Sequence, residues 1–183
     1  MSFKTGICAL AGALAAAGTA AAQDYPSPKA EVKAAIEKLA WLQGTWEGEG
    51  WHYTHAGKRE TYNIKEQIVS KLDGIILAVE GRGWSVDAEG NEIEVHHAVA
   101  VMSYDPFAKD YRIHAFTRDG FQTATTPEVG EMSYRWTVPA GPGAEMRYHA
   151  RIEDGEWVES GERCAGDKCT PAMEMRLRKK TGE

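Results

Sequence analysis

The chain has 183 residues, with 21 lysines and arginines against 27 aspartates and glutamates, for a net charge of −6. That acidic balance repels a phosphate backbone and excludes nucleic acid as a partner class. Hydrophobic residues make up 43% of the chain, which excludes a disordered one, and the length suits a single domain.

The first residues read as a targeting segment. Met1-Ser2-Phe3-Lys4 carries one positive charge, Thr5 to Gly18 is mostly small and apolar, and Ala20-Ala21-Ala22 precedes Gln23. This is the order of a secretory leader, with cleavage expected after Ala22. Its apolar run is too short to span a bilayer, and no later segment is apolar enough to cross one. Cys8 follows Thr5-Gly6-Ile7, which lacks the residues that precede a lipidated cysteine. The expected plan is a leader at 1–22, a helical cap at 23–43 and a β-domain at 44–180, in a periplasmic or secreted protein.

Pro26 to Gln43 is expected to be one helix. Pro28 suits a first turn, Val32, Ile36, Leu39 and Leu42 recur at helical spacing, and Gly44 suits the end. Strands follow, punctuated by turn signals. Thr45–Tyr53 is the first. Glu60–Leu72 alternates Tyr62, Ile64, Glu66 and Ile68 with polar residues and ends at Asp73-Gly74. Ile75–Ser85, Ile93–Tyr104, Tyr111–Arg118 and Phe121–Thr126 come next. Glu131–Val138 alternates Met132, Tyr134, Trp136 and Val138, and Ala144–Glu153 alternates Met146, Tyr148, Ala150 and Ile152. Glu156–Cys164 and Ala172–Lys179 complete about ten strands, the pattern of an all-β barrel or sandwich.

Cys164 and Cys169, with four residues between them in an exported chain, read as a disulfide closing a tight hairpin. A redox-active pair has two intervening residues, and a zinc pair needs further ligands nearby in sequence.

On the first strand Trp46, Gly48, Gly50 and His52 share one face, and Glu47 and Glu49 lie on the other. The glutamates belong in water, so the Trp46 face points inward. Glycines there let a strand curve sharply and leave room inside a closed sheet. Trp46 is expected to fill the end near the helix.

A short helix, then Gly44-Thr45-Trp46 opening a meander of hairpin-linked strands up to Leu177, resembles the calycins: lipocalins, fatty-acid-binding proteins and their relatives. Within that group the chain is most similar to small bacterial lipocalin-like domains of uncharacterised function, and more loosely to nitrobindin-type haem-binding barrels. The resemblance implies an up-and-down antiparallel β-barrel of about eight to ten strands, plugged at one end by the helix and holding a small apolar ligand. Nitrobindin-type barrels ligate haem iron through a histidine near the C-terminus. The final strand here, Pro171 to Lys180, has none, so haem does not carry over residue by residue, and His149 or His114 would have to substitute.

Among the histidines, His96 and His97 are adjacent and face opposite sides, the inner one being undecided; His52 is the best inward candidate. No metal site is assigned. Glu66 lies on an apolar strand face, where an inward carboxylate has a raised pKa or a cationic partner. Glu80 and Arg82 are candidate partners for it. The candidate lining residues are Trp46, His52, Tyr62, Glu66, Tyr134 and Tyr148. Gly-x-Ser-x-Gly, phosphate-loop and His-Glu-x-x-His patterns do not occur. The expected function is an exported monomeric carrier of a small hydrophobic molecule. The alternatives are an enzyme using Glu66 for proton transfer on a lipid or cyclic substrate, a haem binder, and a partner-binding protein exposing Trp51 and Tyr53.

Overall fold

A computed structural model describes residues 26–54 and 57–181. The leader assigned to 1–22 lies outside the described residues.

The helical segment is shorter than its apolar spacing predicts. Helix α1 spans Lys29–Glu37, and a separate 3-10 turn covers Ala40–Leu42. The ladder ends where the Lys38 and Leu39 amides turn back to the carbonyls of Ala35 and Ile36, three residues earlier. Tightening the last turn satisfies carbonyls the helix leaves open. All four residues of the expected stripe, Val32, Ile36, Leu39 and Leu42, are nevertheless buried.

Eleven strands follow, more than the eight to ten expected. They are β1 (Gly44–Tyr53), β2 (Arg59–Lys71), β3 (Ile76–Val86), β4 (Glu92–Asp105), β5 (Asp110–Thr117), β6 (Gln122–Thr125), β7 (Glu128–Gly130), β8 (Ser133–Pro139), β9 (Ala144–Glu153), β10 (Glu156–Ala165) and β11 (Lys168–Lys179). They form one antiparallel sheet in the order β6-β5-β4-β3-β2-β1-β11-β10-β9-β8-β7. The additional strand is β7, whose hairpin with β8 turns at Glu131 and Met132. Met132 has a φ of +48° and is therefore a turn residue, not the first alternating residue of β8.

The sheet curls like a barrel without a complete ladder. Its edges, β6 and β7, are joined by Thr126-Pro127, and across the seam the Thr125 hydroxyl donates to the Thr137 carbonyl at 2.9 Å. A curled sheet has a crowded inner surface, and glycines on the inner rows relieve it. A Cβ on Gly48 would strike the carbonyl of Arg176 in β11, and one on Gly50 would come within 2.6 Å of Ile64 Cδ1. Close strand approach is thus what the alternating glycines of β1 permit.

The outer face carries ion pairs such as Arg82–Glu80, Arg118–Glu94 and Arg178–Glu156, with exposed apolar residues such as Val99 and Phe116 among them. Such exposed pairs add little stability. The helix covers the end of the curl formed by two turns. Lys29 pairs with Asp73 after β2, Lys109 before β5 pairs with Glu31, and the Tyr111 hydroxyl donates to the Ala35 carbonyl at 3.0 Å. Beneath it Leu39, Leu42, Ile68, Leu77 and Leu177 are fully buried with Trp46 and Trp157. The Trp46 indole donates to the Leu42 carbonyl at 2.7 Å, and its ring meets Trp157 edge-on at 5.8 Å. Trp46 fills the helix end, as expected from its strand face.

At the far end of the long β10–β11 hairpin, Cys164 and Cys169 form a disulfide, as the spacing predicts.

Candidate functional site

Beyond the plug, the inner face changes character. Register pairs Glu66 of β2 with Trp46 of β1 and with Gly81 of β3. Ile64 and Ile68, two positions either side, are buried, so Glu66 points inward, as the alternation of β2 predicts. A Cβ on Gly81 would collide with the Glu66 carboxylate, so the glycine is the floor on which that carboxylate rests. Across the interior, Glu159 of β10 occupies the same face as Trp157 and is only 7% exposed. The Tyr134 hydroxyl donates to Glu159 Oε2 at 3.3 Å. Among the described residues, Oε1 of Glu159 and both carboxylate oxygens of Glu66 accept no hydrogen bond.

Burial, and secondarily the charge of Glu159, pushes Glu66 up to about 8. Burial raises Glu159 to about 7 even though the Tyr134 hydrogen bond opposes it. Two carboxyl groups removed from water resist ionising, and each ionised form disfavours the other. Glu66 is nonetheless only half-buried. The two observations agree if the surface it exposes faces the inside of the curl, where surrounding protein displaces most of the water.

Tyrosines surround the pair. Burial first, then the charge of Glu159, pushes Tyr62 and Tyr148 up to about 12, and the same causes raise Tyr134 further. The rings fit because glycines face them. A Cβ on Gly161 would come within 3.0 Å of the Tyr148 ring, and one on Gly83 within 2.9 Å of the Tyr62 ring. Tyr148 stacks on Trp136 with ring centroids 4.2 Å apart. This stack forms one wall of a groove of about 630 Å³ at the seam, reaching Thr125 and Glu128. Glu66 and Glu159 do not line the groove. Tyr148 belongs to both its wall and the surroundings of Glu159.

Trp41, Trp136 and Trp157 each bury an indole N–H that has no hydrogen-bond partner among the described residues. A buried donor left unpaired costs about 1–3 kcal/mol. An inner face with unpaired donors and acceptors differs from a self-satisfied core.

Of the six candidate lining residues, the fold gathers Tyr62, Glu66, Tyr134 and Tyr148 around Glu159. Trp46 lies in the packed plug next to Glu66. His52 is six residues farther along β1, its ring 5.2 Å from that of Tyr62. His96 lies on the Tyr62 side of β4, its Cβ beside Gly83.

Other expectations are corrected. Glu80 and Arg82 are not partners of Glu66. In the β2–β3 register they flank Gly81 and take the opposite face, where Arg82 and His97 both bond Glu80. His114 and His149 are offset by one residue from the inward Ile113 and Tyr148 and so face outward, which removes both as replacements for an interior haem ligand. Trp51 stacks under the Arg59 guanidinium at 4.2 Å, leaving Tyr53 the more exposed of that pair.

Glu159 is not among the candidate lining residues, although Trp157, Glu159 and Gly161 alternate on one strand face.

No family model matches the chain, and no curated protein matches it. Among solved structures it is similar to the crystal structure of Rv2717c from M. tuberculosis, at 15% sequence identity and a TM-score of 0.59. The similarity covers 80% of this chain and 98% of that one. At that identity it is a likeness of fold.

Proposed function

We propose that this chain is an exported, lipocalin-like binding protein that holds a small, mainly apolar molecule inside its curled sheet. The observation that carries the reading is Glu66: an inward, half-buried carboxylate that accepts no hydrogen bond among the described residues, with Gly81 and Gly83 making room for it and for the Tyr62 ring. Tyr62 and Tyr148 supply aromatic surface with hydroxyls at the edge, a lining that grips an apolar body and orients a polar group. Export is supported by the leader-like first 22 residues, and the Cys164–Cys169 disulfide is compatible with it.

The test is native mass spectrometry, with a visible spectrum, on protein taken from an envelope fraction without refolding. A colourless protein carrying a lipid-sized adduct, lost in Glu66→Gln/Tyr148→Phe, supports the carrier. An empty protein that takes up no apolar probe overturns it, and a Soret band replaces it with a haem binder held through His52 or His96.

The carboxyl pair favours a second reading. Groups at about 8 and about 7 hold one proton and exchange another near neutrality, which is what general acid–base catalysis requires. On that reading Glu66 and Glu159 shuttle a proton on the bound molecule. Incubating the retained ligand in deuterium oxide separates the two: an enzyme exchanges or rearranges it and Glu66→Gln does not, whereas a carrier returns it unchanged.

A further inference from the structure

Glu66 and Glu159 share one inner face, on strands separated by β1 and β11, and burial holds both toward the protonated form unless a positive charge is supplied. None of the ion pairs among the described residues includes Glu66 or Glu159. The cation nearest Glu66 in register is Lys179 of β11, paired with Trp46 of β1; the one nearest Glu159 is Arg163, farther along the same face of β10 and exposed. The Lys179 ammonium is turned to the helix end, 3.5 Å from the Trp41 carbonyl and 5.2 Å above the Trp46 ring. The arginines of β3, β9 and β11 are spent on acids of the outer face, as in Arg82–Glu80, Arg151–Glu153 and Arg176–Glu174. Glu159 is more than nine-tenths buried with one oxygen free, and Trp157 on the same strand face buries an unpartnered N–H. Aromatic rings meanwhile stand beside the acids, and ring faces attract cations.

We propose that the interior selects a cation: an apolar chain or ring system bearing one positively charged nitrogen, seated between Glu66 and Glu159 with the Tyr62 and Tyr148 rings as its walls. This deepens the carrier reading and rests on it. Ionising a buried carboxyl without a partner is costly, and a ligand ammonium offsets that cost as the carboxyl releases its proton, whereas a ligand carboxylate brings no such offset and makes ionisation of either glutamate harder. The preference is therefore built from both attraction and repulsion.

Three probes of equal chain length decide it by titration calorimetry below their micelle-forming concentrations: decyltrimethylammonium, decanol and decanoate. The expected result is that the ammonium binds about ten-fold or more tightly than decanol, the size that a desolvated contact between a cation and ring faces supplies, with decanoate weakest. In the Glu66→Gln/Glu159→Gln double variant the ammonium's advantage disappears while decanol binding remains, which also shows that the variant is folded. Equal or tighter binding of decanol or decanoate by the wild-type protein overturns the cation preference and leaves the carrier standing. An ammonium advantage that survives in the double variant overturns the assignment to this pair. If none of the three binds, the carrier reading itself fails.

Discussion

The helix end of this sheet and its middle are built from the same alternating strands but solve opposite problems. At the helix end, Leu39, Leu42, Leu77 and Leu177 pack against Trp46 and Trp157, and the Trp46 N–H is matched to a carbonyl while those of Trp41 and Trp157 are not. In the middle, glycines make room for the side chains opposite them, and the inward polar groups are Glu66, Glu159 and three tyrosines, of which Tyr134 and Glu159 bond each other while Glu66, Tyr62 and Tyr148 make no side-chain hydrogen bond among the described residues. The first region holds the sheet curled. The second is tolerable because the first carries the stability, so the two should respond differently to mutation.

The largest effect is expected at the packed end. Trp46→Ala removes a buried indole and its hydrogen bond and should cost about 3–5 kcal/mol in urea unfolding. A loss under about 1 kcal/mol would mean that the plug is not what stabilises the fold.

The middle should instead respond to pH. Glu66 rises from its ordinary 4.5 to about 8 on folding, and Glu159 from 4.5 to about 7. Between those values the folded chain holds protons that the unfolded chain has released, so stability falls as pH rises through this window and levels off above it. The tyrosines facing the pair, Tyr62, Tyr134 and Tyr148, are raised and stay neutral throughout. Glu66→Gln should therefore be more stable than wild type at alkaline pH, with the difference vanishing below about 4.5. Thermal melts across pH that run parallel for the two proteins would remove the buried-acid description.

A third region provides a reference. Replacing Cys164 and Cys169 with alanine opens a very short covalent loop and should cost about 2 kcal/mol without altering the pH profile. A changed profile would link the hairpin tip to the carboxyl pair. The smallest expected effect is from Gly81→Ala. Its backbone sits in a strand, and the added methyl meets the mobile end of Glu66. Stability should change by less than about 1 kcal/mol, while the Glu66 titration followed by carbon-13 NMR moves. An unmoved titration would show that Gly81 does not support the carboxylate.

Much of this was legible in the chain, and the gaps have causes. On β2, Glu66 stands between Ile64 and Ile68 in strict alternation, so its direction could be read directly. On β10, Trp157 and Val158 are adjacent and both apolar, so the alternation that joins Trp157 to Glu159 does not by itself say which face turns inward. The three residues of β7 are too few to carry a period. The stripe from Val32 to Leu42 marks the correct buried side across a break in the helix, because a 3-10 turn keeps Leu42 near that side. The disulfide needed only the spacing. Which acids meet across the interior depends on curvature, and no local pattern encodes it.

The order of the strands has a consequence for how the molecule forms. Every neighbouring pair in the sheet is consecutive in sequence except one, β1 with β11. That pairing alone forces the two ends of the domain to find each other late and at a high entropic cost. A circular permutant that links the end of β11 to the helix and is cut between Thr126 and Pro127 would run from β7 to β6 entirely through adjacent partners. With the same final contacts and a lower contact order, it should refold faster than the natural chain.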